Sequence, residues 1–158
     1  MTMRKRIINK EHQQDAPDSH SWLDVEQLAQ VEVTSENADY PIESAFVLDS
    51  TTVWRAEMEG KQVIRLLFDS PQTLSHIRLK FDESSQQRTQ EYVLKWSSDN
   101  GKSWHEIVRQ QYHFSPPDTV CEIEDYHVDL QTVTSLELMI IPEISGGGFA
   151  TLSQMRIA

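Results

Sequence analysis

The chain has 158 residues, of which 38% are hydrophobic and 25% charged, the proportions of one packed core beneath an ordinary polar surface. Its 25 acidic residues outnumber 14 basic ones for a net charge of −11, which opposes association with a nucleic-acid backbone, whose binding needs clustered Lys and Arg to displace counterions. No run approaches the ~20 apolar residues of a membrane-spanning helix, so neither nucleic acid nor membrane is an expected partner.

The first basic cluster, Arg4, Lys5, Arg6 and Lys10, is followed by Glu11, His12, Gln13 and Gln14. A secretory leader needs roughly 7–15 apolar residues there, so none is expected. Residues 1–21 are polar and read as a flexible N-terminal arm, with a single domain over 22–158. Cys121 is the only cysteine and cannot pair within the chain. Its place in an alternating run suits an inert thiol, and the expected address is cytoplasmic.

Within 22–30, Trp22, Leu23, Val25, Leu28 and Ala29 allow one short helical turn capped by Asp24. Alternation then begins at 31–35, and Asn37, Asp39, Pro41 and Ser44 mark a long loop running to about Trp54. Seven further strands are predicted at 62–68, 73–81, 90–97, 104–111, 119–128, 135–142 and 150–157.

The inward residues are Ile64, Leu66 and Phe68; Ile77, Leu79 and Phe81; Tyr92, Leu94 and Trp96; and Leu136, Leu138 and Ile140. Charged residues such as Arg65, Arg78, Lys95 and Glu137 alternate with them, giving one buried and one wet face. Turn residues separate the strands at 69–71, 98–101, 115–118 and 145–148, and Asp99-Asn100-Gly101 is the strongest hairpin signal. Many short strands without long helices predict an all-β antiparallel sandwich or barrel.

An ordered series of segments narrows this. Asp49-Ser50-Thr51-Thr52-Val53-Trp54 is followed by the apolar run Val63-Ile64-Arg65-Leu66-Leu67-Phe68 and by Leu74-Ser75-His76-Ile77-Arg78-Leu79. Then comes Tyr92-Val93-Leu94-Lys95-Trp96-Ser97-Ser98-Asp99-Asn100-Gly101-Lys102-Ser103-Trp104, and a closing strand from Ala150 to Ile157. In order and spacing the chain resembles the discoidin, or coagulation-factor 5/8 type C, family. That resemblance implies a galactose-binding-like, jelly-roll β-sandwich of about eight strands.

It also implies a non-catalytic binding module that recognises a carbohydrate or related small ligand through loops at one end of the sandwich. The matching loops hold Arg55, Arg88, Tyr112 and His113. A guanidinium offers a fixed fork of donors, and Tyr and His join an apolar face to a polar tip, as a sugar requires. The competing reading pairs Arg55 and Arg88 with Glu57, Glu59 or Glu91 on the surface. Trp54, Trp96 and Trp104 belong to strands or their entries and are expected in the core.

The residues themselves call for no cofactor. The resemblance implies a calcium ion near Asp49 and Thr52, where Gln154 supplies a neutral amide in place of the family's carboxylate. Otherwise Asp49 and Thr52 bond within their own loop as turn residues. No nucleophile motif, paired cysteines or metal-spaced histidines occur, so no enzyme is expected. The alternative function is a protein–protein interaction module of a cytoplasmic assembly, since fold alone does not choose between the two.

Overall fold

The computed structural model describes residues 22–47 and 51–158. The predicted arm and Asp49 lie outside the described residues. In chain order the elements are α1 (Val25–Leu28), β1 (Ala29–Val33), a 3-10 turn (Ile42–Ala45), β2 (Trp54–Arg55), β3 (Gln62–Asp82), β4 (Arg88–Ser97), β5 (His105–Phe114), β6 (Cys121–Ile141), β7 (Thr151–Leu152) and β8 (Gln154–Ile157). Asp24 stands at the N-cap of α1, where its carbonyl accepts the Gln27 and Leu28 amides while its side chain makes no cap bond.

All strand pairs are antiparallel, in the order β1-β3-β6-β4-β5 with β8 on β3, and β2 pairs with β7 apart from them. β3 and β6 are each one 21-residue strand where the alternation pattern predicts two. They pair from Gln62 to Leu67 and again from His76 to Asp82, with register shifts between. The expected turn at Asp69, Ser70 and Pro71 is this exposed irregularity. Pro71 has no amide for a ladder bond, so pairing lapses without the chain reversing. On the partner strand, Thr132 adopts a positive φ of 57°.

The first half of β3 carries β1 and the second half carries β8, so the two long strands serve both layers. Across the core, Phe81 of β3 stacks on Tyr92 of β4 at 5.1 Å between ring centroids. Apart from the half-buried Trp96, the predicted inward residues are all buried; each such Leu, Ile or Phe contributes about 1.5–3 kcal/mol. Trp54 closes one end, fully buried, with its indole N–H donating to the Ser35 carbonyl at 3.1 Å. Trp104 is half-buried against Gly101, and Trp22 packs on the His76 ring at 4.8 Å.

A candidate sugar-binding cleft

Three distant segments meet beside the β2–β7 pair. Trp54 and Arg55 lie opposite Leu152 and Thr151. The Ala56 amide then donates to the Ala150 carbonyl, and the Gly60 amide to the Gly148 carbonyl, both at 2.9 Å. These bonds fasten the turn after β2 to the glycine run, in which Gly146, Gly147 and Gly148 all have positive φ. The run delivers Phe149 to the surface, 37% exposed as a residue, and the Arg55 guanidinium lies 4.9 Å from its ring centroid.

The third segment follows β3. Glu83 Oε2 accepts the amides of Ser85 and Gln86 and the Ser85 hydroxyl, while Oε1 accepts Arg88 Nε at 2.6 Å. Burial alone would raise the Glu83 pKa, but these donors, with Arg88 foremost, hold it below its usual value. Arg88 is only 5% exposed; its Nη1 donates to Gln90 Oε1 at 3.1 Å and to the Pro142 carbonyl at 2.8 Å. Its guanidinium carbon sits 4.8 Å from the Phe114 ring centroid. The remaining nitrogen, Nη2, is buried without a protein partner, as is the Thr151 hydroxyl.

Between these segments opens a cleft of about 510 Å³, with Arg55, Glu59, Asp82, Glu83, Arg88 and Phe149 in its wall. Its volume lies in the usual range of ligand sites. It joins an exposed aromatic face to fixed donors and acceptors, and its two buried polar atoms lack the bonds that such atoms normally make. A second hollow of about 410 Å³, beside Glu32, Thr34 and Arg65, has no aromatic wall, and its Arg65 is held by Glu137 at 2.7 Å.

Of the four sequence-predicted ligand residues, Arg55 and Arg88 line this cleft together. Tyr112 and His113 do not line it. They are consecutive on β5 and point to opposite faces. The Tyr112 hydroxyl donates to the Cys121 carbonyl at 2.9 Å and its ring meets Phe114 edge-on. His113 Nδ1 lies 2.7 Å from the Thr89 hydroxyl and Nε2 lies 3.1 Å from Gln87 Nε2. Phe149 and Glu83 were not among the predicted residues. The available signal was Phe149 following three glycines, which detach it from any strand period.

For calcium, Thr52 donates to the Ser44 hydroxyl at 3.0 Å, and Gln154 brings no charge. No group of three or more His, Cys, Asp or Glu able to hold a metal occurs among the described residues. Cys121 is half-buried, and burial, then the Asp82 charge, push its thiol pKa up, which keeps it in the unreactive form.

A separate acidic cluster lies between the layers. Glu122 is 1% exposed, and burial followed by the Glu124 carboxylate raises its pKa to about 8. The Tyr92 and Tyr126 hydroxyls bond to each other beside it, and the pKa of each is raised, first by burial.

The F5/8 type C domain family model matches residues 30–134, more than half of the chain, and the chain belongs to this family. No curated protein matches the sequence. Among solved structures, it is similar to a family 32 carbohydrate-binding module from Clostridium perfringens in complex with galactose, at 13% identity and a TM-score of 0.63, covering 86% of this chain and 96% of that one. Chitosan-binding module 1 from a Paenibacillus chitosanase/glucanase is similar at 20% identity and a TM-score of 0.60, with 86% and 98% covered. A Ruminococcus gnavus GH29 fucosidase matches at 12% identity and a TM-score of 0.64, over 83% of this chain and 25% of its own. At these identities the likeness is one of fold.

Proposed function

We propose that this chain is a non-catalytic carbohydrate-binding module and that the 510 Å³ cleft is its sugar site. One observation carries the reading: an exposed Phe149 shares a cleft with the Arg55 guanidinium, 4.9 Å from its ring centroid, and with the buried Arg88 held by Glu83. A sugar offers an apolar ring face to the aromatic and hydroxyls to the guanidinium. The similar modules crystallised with galactose or described as chitosan-binding support the assignment.

A binding role also fits the carboxylates in the cleft. Glu83 is locked to Arg88, and Asp82 accepts the Ser153 hydroxyl at 2.6 Å, so neither is poised as a free acid or base. Of the exposed apolar side chains, Ile123 lies on β6, while Tyr40, Val47, Met58 and Ile144 lie in loops between elements.

The test is calorimetric titration with galactose, galacturonate, glucosamine and chitosan and pectin oligosaccharides. Saturable binding that weakens about tenfold in Phe149→Ala is expected, the loss of one aromatic contact. No binding across the panel would refute the proposal.

A further inference from the structure

In a chain with 25 acidic residues against 14 basic ones, an arginine without an acidic partner stands out. Arg65 faces Glu137, Arg78 faces Asp125, Arg88 faces Glu83, and Arg109 faces Glu91 and Glu106. Arg55 faces no carboxylate among the described residues; its guanidinium rests on the Phe149 ring beside the cleft. Stacking leaves the edge of the guanidinium, with its N–H groups, available to a ligand.

The other charges in the cleft are already committed. Both Glu83 oxygens are occupied, one by Arg88 and one by Ser85 and Gln86. Asp82 Oδ2 accepts Ser153 and lies 3.9 Å from Lys80 Nζ. Arg88 Nη2 and the Thr151 hydroxyl are buried out of a ligand's reach, so Arg55 is the accessible charged donor of the cleft, with Glu59 and the exposed side of Asp82 as charged acceptors. Within the cleft, Arg55 is therefore the cation with no carboxylate partner among the described residues.

Resting on the reading of this cleft as a sugar site, we propose that its preferred ligand is a sugar bearing an anionic substituent, a carboxylate or a sulfate ester, held by Arg55. The net charge of −11 is spread over the whole chain and screened beyond about 8 Å at physiological ionic strength. A charge-assisted contact to a planar fork acts at hydrogen-bond distance and escapes that screening.

The experiment titrates the full chain with galactose, galacturonate, galactose 6-sulfate and glucosamine at physiological salt. At least one anionic sugar is expected to bind about tenfold tighter than galactose, and Arg55→Gln to bring that ratio close to one. The ratio of galacturonate to galactose 6-sulfate then tells carboxylate from sulfate. Galactose binding as well as both anionic sugars, glucosamine binding best, or an unchanged ratio in Arg55→Gln overturns the inference while the sugar-site reading stands. Absence of binding to all four sugars, with none to the oligosaccharides above, overturns both.

Discussion

Arg88 and Glu83 form a buried ion pair at 2.6 Å whose two members also hold Pro142, Gln90 and the Ser85–Gln86 turn. Removing one partner strands the other's charge, so Arg88→Ala is expected to destabilise the fold by about 3–5 kcal/mol in urea denaturation. Glu122 is the opposite case, a buried acid without a countercharge. Its folded pKa of about 8 exceeds the ordinary 4.5, so between these values the unfolded chain releases a proton that the folded chain keeps. This contribution to stability is whole below pH 4.5, declines as pH rises towards 8 and is flat above. Glu122→Gln should flatten that decline, measured as the urea midpoint at pH 5 and pH 8. An unchanged slope would contradict the assignment. At this scale the sequence pointed to Arg55 and Arg88 by residue type, and the fold sets both in the wall of one cleft. Tyr112 and His113 have suitable side chains, but adjacency on one strand sends them to opposite faces. Phe149 escaped because a lone aromatic after glycines has no periodicity to read.

The β4–β5 hairpin bears out its turn signal. Asn100 and Gly101 both take positive φ, at 61° and 84°, and the Ser97 hydroxyl receives the Gly101 amide at 2.9 Å. A Cβ at position 101 would sit 3.3 Å from the Trp104 ring. Gly101→Ala should therefore cost about 1–3 kcal/mol, visible as a lower melting temperature, whereas Asn100→Gly should be nearly neutral. The long strands were harder to read. Asp69, Ser70 and Pro71 announce exposure and a missing ladder bond, which a turn and a bulge share. Only the pairing on both sides, with β6 before and after, shows that the chain continues in its direction.

At the scale of the molecule, strict alternation along the strands was enough to give the sandwich, because a one-residue slip would turn each apolar set into water. The cleft was not legible in the same way. It joins Arg55 and Glu59 to Asp82 through Arg88 and to Gly148 through Thr151, segments brought together by the β2–β7 pair of two residues each. So short a pair leaves no periodic trace; the fully buried Trp54 on it and the Ala56–Ala150 and Gly60–Gly148 backbone bonds hold it. Trp54→Ala is expected to cost about 3–5 kcal/mol and to lose the cleft with it, whereas Phe149→Ala, at a partly exposed site, should leave the melting temperature nearly unchanged.

The most direct measurement is therefore a calorimetric titration of the native chain and Phe149→Ala, side by side, with the same panel of neutral, amino and anionic sugars. Saturable binding to the native chain, weakened about tenfold in a variant that melts at the same temperature, is the predicted result. Equal affinity in both proteins, or no binding to either, would contradict the cleft as the sugar site.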